Sequence, residues 1–153
     1  AGRLQLAEAS TMAGIAFSNS MVGMVHSLGH SVGAKCHVPH GLCMSILMPH
    51  VLEFNLSESS ENIGELLLHI AGSEVYASTP VAERPAKAIA TIVALKEEMY
   101  ALCELPRKLS ETGSVKESDL EDIARMALDD GSMMLNPIDA TFEQALAVLK
   151  KAF

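Results

Sequence analysis

Three features of the sequence predict an all-α fold, a multi-helix bundle forming one domain over residues 1–153. Apolar residues recur at helical spacing in almost every segment. Aromatic residues make up only 4% of the chain, with no Trp, so an Ala-, Leu- and Met-rich interior points to helices packed closely on helices. No hairpin signal such as Asn-Gly interrupts this text.

The elements follow in order. "LQLAEASTMAGIAF" opens the chain as a helix, and "NSMVGMVHSLGHSVGA" reads as a second helix with a small-residue face. Gly23, Gly29 and Gly33 in that second stretch each weaken it by roughly 1 kcal/mol relative to Ala. Such residues are kept where a backbone or a ligand must approach closely. "AKCHVP" reads as a loop. Pro39 then precedes His40, which opens a third helix, "HGLCMSILMPHVLEFN", with an interruption expected near Pro49. "SENIGELLLHIAG" follows, with Ser60 as N-cap and Gly72 as C-terminal stop. The longest helix is expected from about Pro85 to Cys103, with Pro in its first turn. "LPRKLSETG" is a loop or short turn. Capping-box spacing then marks two helix starts, Ser118 with Glu121 and Thr141 with Gln144. The nine methionines read as core filling, and the acidic "ESDLEDIA" text as a solvated helix face.

Composition narrows the partners. With 19 acidic against 11 basic residues, the net charge of −8 would repel a phosphate backbone, which argues against nucleic acid. The longest apolar run, Ala88 to Leu95, is too short to span a bilayer. Three cysteines without Cys-x-x-Cys spacing suggest free thiols in a reducing, cytoplasmic compartment.

The segment "HSLGHSVGAKCHVPHG", His26 to Gly41, holds four of the six histidines. His26 and His30 stand four apart, on one helix face. His40 opens the next helix after a glycine-bearing turn and a proline, so it can point an imidazole back toward the first. Imidazole suits Zn, Fe, Cu and Ni, which makes His26 and His40 candidate metal ligands. A lone helical histidine is more often simply packed, and His50 and His69 are read that way. His37, in the loop, either borders the candidate metal site or is a solvated loop residue. Cys36 and Cys43 are read as small apolar residues. No acid but Glu8 precedes His26, so a self-contained four-ligand site has no signature here.

"AGIAFSNSMVGMVHSLGHSVGAKCHVPHGLCMSILMPHVLEFN" resembles the signature segment of the iron-containing alcohol dehydrogenases. That family shows AF-x-N, a glycine, H-x3-H-x2-G, a short loop, PHG and then Leu/Met-Pro. "LPRKLSETGSVKESDLEDIARMALDDGSMMLNP" is similar to its closing region, including Asn136-Pro137. Ile138 stands where the family often has Arg, and Ser132 falls where the family lines the substrate pocket.

The resemblance implies that the chain is the C-terminal helical half of such an enzyme, with Ala1 a fragment boundary. An α/β half that binds NAD(P) would precede it. The metal, Fe(II) or Zn(II), would lie in the cleft between the halves. Two ligands, an Asp and a His, would come from upstream, and the other two carry over to His26 and His40. His30 matches the position associated with proton relay. The implied reaction interconverts small alcohols with aldehydes or ketones. Maleylacetate reductase and glycerol dehydrogenase chemistry are related alternatives, as is a stand-alone helical metal-binding or interaction module. An apolar cleft face left uncovered would favour association, so a homo-oligomer is expected, and dehydrogenase activity is not expected from the chain alone.

Overall fold

The structure, a computed structural model, describes residues 2–153. Eight α-helices and no strand occur among them: α1 (Gly2–Ser20), α2 (Met24–Cys36), α3 (His40–Phe54), α4 (Leu56–Ala71), α5 (Ser73–Ser78), α6 (Arg84–Cys103), α7 (Leu120–Asp129) and α8 (Phe142–Ala152). The all-α expectation is met. Single 3-10 turns occupy Val81–Glu83, Ser110–Thr112, Glu117–Asp119 and Met133–Leu135. None of the described helices is long and apolar enough to cross a membrane.

The main core is built by α2, α3, α7 and α8. Leu28 and Val32 of α2, Ile46 and Leu47 of α3, Ile123 and Ala127 of α7, and Leu149 of α8 are all fully buried in it. Each large aliphatic side chain there contributes about 1.5–3 kcal/mol by leaving water. A second, smaller cluster joins Ile63 and Leu67 of α4 to Ala88 and Ile89 of α6.

α1 is different. It buries none of its residues, and Leu4, Leu6, Met12, Ile15 and Phe17 are 52–72% exposed. Its apolar residues are spread around the helix between polar ones, among them Arg3, Gln5 and Glu8.

Several boundaries differ from the sequence expectations, each for a tertiary reason. The second helix begins at Met24 rather than Asn19. The chain turns at Met21 (φ 64), and the Asn136 side chain accepts from the Met24 N–H, closing the helix start. That helix also runs on to Cys36 through text expected to be loop: Cys36 is buried, and Lys35 Nζ pairs with Asp122 at 2.9 Å. Pro49 does not interrupt α3. It is buried mid-helix, where packing of Ile46, Leu47 and Val51 offsets the roughly 3 kcal/mol that an internal proline costs. α4 starts ahead of Ser60, and its irregular residue is Ser59 (φ −128, ψ 18).

The Ser118–Glu121 box is replaced by Asp119, whose carboxylate accepts from the Lys116 N–H at 3.0 Å ahead of α7. The Thr141–Gln144 box forms as expected. The methionine expectation holds for Met24 and Met133, which are buried, and for Met44, which packs half-buried against the main core, whereas Met12, Met21, Met99, Met126 and Met134 are exposed. Met flexibility suits surfaces that another body covers as well as cores.

Candidate metal centre

The turn between α2 and α3 is three residues long and tightly built. His37 ends α2 in the left-handed region (φ 57), and its N–H donates to the Gly33 carbonyl at 2.9 Å. Pro39, at φ −56, then starts α3, and its carbonyl accepts from the Leu42 and Cys43 N–H groups at 3.0 and 3.1 Å. Val38 tucks inward between them at 5% exposure. The chain therefore doubles back at once, and α3 runs along α2. Gly29 makes the approach possible: a Cβ there would stand 1.9 Å from Met44 Cε and 3.3 Å from Cys43 Cβ.

This hairpin gathers three imidazoles. Ring centroids lie 5.6 Å apart for His26–His30, 5.4 Å for His26–His40 and 5.5 Å for His30–His40. His26 is half-buried, while His30 and His40 lie at the exposed rim. Burial pushes the His26 pKa below its ordinary value, and the neighbouring His30 and His40 push it the same way against an opposing pull from Asp130. The shift favours the neutral imidazole, the form that ligates a metal. The donor set fits two positions of a divalent-metal shell. No group of three or more His, Cys, Asp or Glu side chains among the described residues is arranged to hold an ion.

The other candidates lie elsewhere. His37 is exposed in the turn, His69 is exposed on α4, and His50 is half-buried on α3 beside Glu53, Lys96 and Lys151. Cys43 is buried and its thiol is pushed up to about 11, chiefly by burial, which makes it inert packing. An apolar pocket of about 480 Å³ adjoins His26, walled by Met21, Val22, Met44, Met48, Leu52 and Pro137 among others.

These observations meet the comparisons with known proteins at one point. Over residues 1–153 the sequence matches the Fe-containing alcohol dehydrogenase family, C-terminal part. The chain belongs to the iron-containing alcohol dehydrogenases. It is 36% identical over 153 residues to alcohol dehydrogenase 4 of Saccharomyces cerevisiae, covering 99% of this chain and 37% of that protein. It is 36% identical over 150 residues to the NAD-dependent methanol dehydrogenase of Bacillus methanolicus, covering 98% and 38%. The crystal structure of a 1,3-propanediol oxidoreductase superposes with a TM-score of 0.85 at 32% identity, covering 95% of this chain and 36% of that one. The chain spans little more than a third of these relatives' length.

Two features of this iron-containing alcohol dehydrogenase segment were not evident from sequence reasoning. Asp130, 100 residues further along the chain, places its Oδ2 2.9 Å from His30 Nδ1, within hydrogen-bond distance. Burial pushes its carboxyl up, but hydrogen bonds from Ser132 and His30 outweigh this and leave it below the ordinary carboxylate range. Asn136 joins Asn55 and the start of α2, and it donates to the Ile138 carbonyl at 2.9 Å. Pairings across 81 and 100 residues leave no local pattern.

Proposed function

We propose that this chain forms the metal-facing helical side of the cleft in an NAD(P)-dependent alcohol dehydrogenase, which interconverts small alcohols with aldehydes or ketones. The observation that supports this most is the His26–His30–His40 triangle, set on a rigid hairpin beside an apolar pocket. His26 and His40 would ligate the ion. The family's description favours Fe(II), and Zn(II) is accepted by the same donors. The two further ligands and most of the NAD(P) site belong to a nucleotide-binding half outside this chain.

A bound divalent ion would supply Lewis-acid polarisation of the alcohol or aldehyde oxygen, and a nicotinamide the hydride chemistry. This chain's residues do the rest on their side of the cleft. Burial lowers the His26 pKa and so favours the unprotonated ring that binds a metal. His30, at the rim, exchanges the hydroxyl proton with solvent. Met44, Met48 and Leu52 keep water from the carbon chain. The exposed apolar surface of α1 suits burial against the other half or a second subunit of a cytoplasmic homo-oligomer.

Anaerobic Fe(II) titration of this chain, with His26→Ala and His40→Ala beside it, tests the reading. Weak binding that disappears in either variant is expected, together with no NADH turnover by the chain alone. Binding that survives both substitutions would remove these histidines from the shell. Tight one-to-one binding would instead favour a self-sufficient helical metal-binding module.

A further inference from the structure

We propose that Asp130 is the positioning residue of His30: it fixes the imidazole in the tautomer with the proton on Nδ1, leaving Nε2 as the acceptor nitrogen. The inference rests on the proton-exchange role given to His30 above, and it names the group that makes that role directional.

The geometry carries the argument. His30 Nδ1 lies 2.9 Å from Asp130 Oδ2. An ionised carboxylate only accepts, so this contact requires Nδ1 to be the donor. In a neutral imidazole the lone pair then sits on Nε2, and the ring can take a hydroxyl proton only there. The carboxylate itself is held: the Ser132 N–H donates to its other oxygen, Oδ1, at 2.8 Å. The Asp130 carbonyl accepts from the Met133 N–H at 2.9 Å, so the backbone is fixed as well.

Asp130 also stands just past the end of α7, whose Ile123, Ala124 and Ala127 are fully buried in the main core. The aspartate is therefore placed by the packing of α7 on α2 and not by a mobile surface side chain. An ordinary exposed ion pair lacks such support, and ordering two long side chains cancels most of its gain. A carboxylate that orients an imidazole and selects its tautomer is a recurring solution in metal sites and in acid–base catalysis.

The test reads the tautomer directly. In a two-bond proton–nitrogen correlation spectrum of the 15N-labelled chain at alkaline pH, His30 is identified by its loss in His30→Gln. The expected spectrum shows Nδ1 at the protonated nitrogen shift and Nε2 at the unprotonated one. In Asp130→Asn the Ser132 N–H keeps the amide oxygen, the NH2 group turns to Nδ1, and the two shifts should exchange. A wild-type His30 carrying its proton on Nε2 would overturn the assignment, whether or not the variant folds. So would an Asp130→Asn chain that retains the Nδ1 proton. No metal or alcohol enters this measurement, so failure to bind Fe(II) with the expected tautomer intact would defeat the dehydrogenase reading alone.

Discussion

Asn55 and Asn136 clasp each other side chain to side chain, with Asn55 donating to Asn136 at 3.0 Å and Asn136 donating back at 2.8 Å. The Asn136 oxygen also accepts from the Met24 N–H at 3.2 Å, one of the donors that a helix start leaves unpaired. Both residues are buried, at 8% and 7% exposure. This pair ties the end of α3 and the C-terminal segment to the first turn of α2, two residues ahead of His26.

Asn136→Ala should therefore destabilise the chain by about 2–3 kcal/mol, because it strands the Asn55 amide and the Met24 N–H in the interior. Urea unfolding followed by circular dichroism measures this. A loss below about 0.5 kcal/mol, the range of ordinary surface changes, would show that water replaces the lost partners. Asn136→Asp keeps the acceptor but loses the donation to Asn55 and Ile138, so it should also be destabilising.

Gly29 sets the spacing of the hairpin. Gly29→Ala removes a helix penalty of about 1 kcal/mol, but its new methyl group overlaps Met44 and crowds Cys43, which costs about 1–3 kcal/mol. A net loss is expected. The end of Met44 is flexible whereas Cys43 Cβ is close to the backbone, so Gly29→Ala with Met44→Ala should recover only part of it. The double-mutant cycle measures the coupling, and additivity would mean that the two sites do not touch.

His50 makes stability pH-dependent. Burial lowers its folded pKa below the ordinary 6.5, against a pull upward from Glu53 and with a smaller push downward from Lys96 and Lys151. The unfolded chain therefore binds the proton first. The contribution is fully present above pH 6.5 and is lost as pH falls from there through the folded pKa. Urea midpoints should hold above pH 6.5 and drop as pH falls below it. His50→Gln should flatten part of that slope, and an unchanged slope would mean that His50 titrates as it does in water.

Much was legible from the residues in order. Thr141 and Gln144 stood in capping-box spacing, and both reciprocal bonds form, because the cap depends only on four consecutive residues. Gly72 ends α4 at φ 88, a conformation that glycine adopts without strain. His26 and His30 were bound to share a face by the helical period alone, and Pro39 was bound to start a helix at His40. Composition and period together sufficed for the all-α class.

The tertiary structure decided what depends on remote partners. Pro49 stays within α3 because neighbours packed around it outweigh a local penalty. Met24 rather than Asn19 begins α2 because a side chain 112 residues away completes the cap. Asp130 reaches His30 across 100 residues because α7 lies on α2. Helical period and caps are written in neighbouring residues and can be read there. Which distant polar group meets which is set by how the buried faces stack, and no stretch of sequence contains that arrangement by itself.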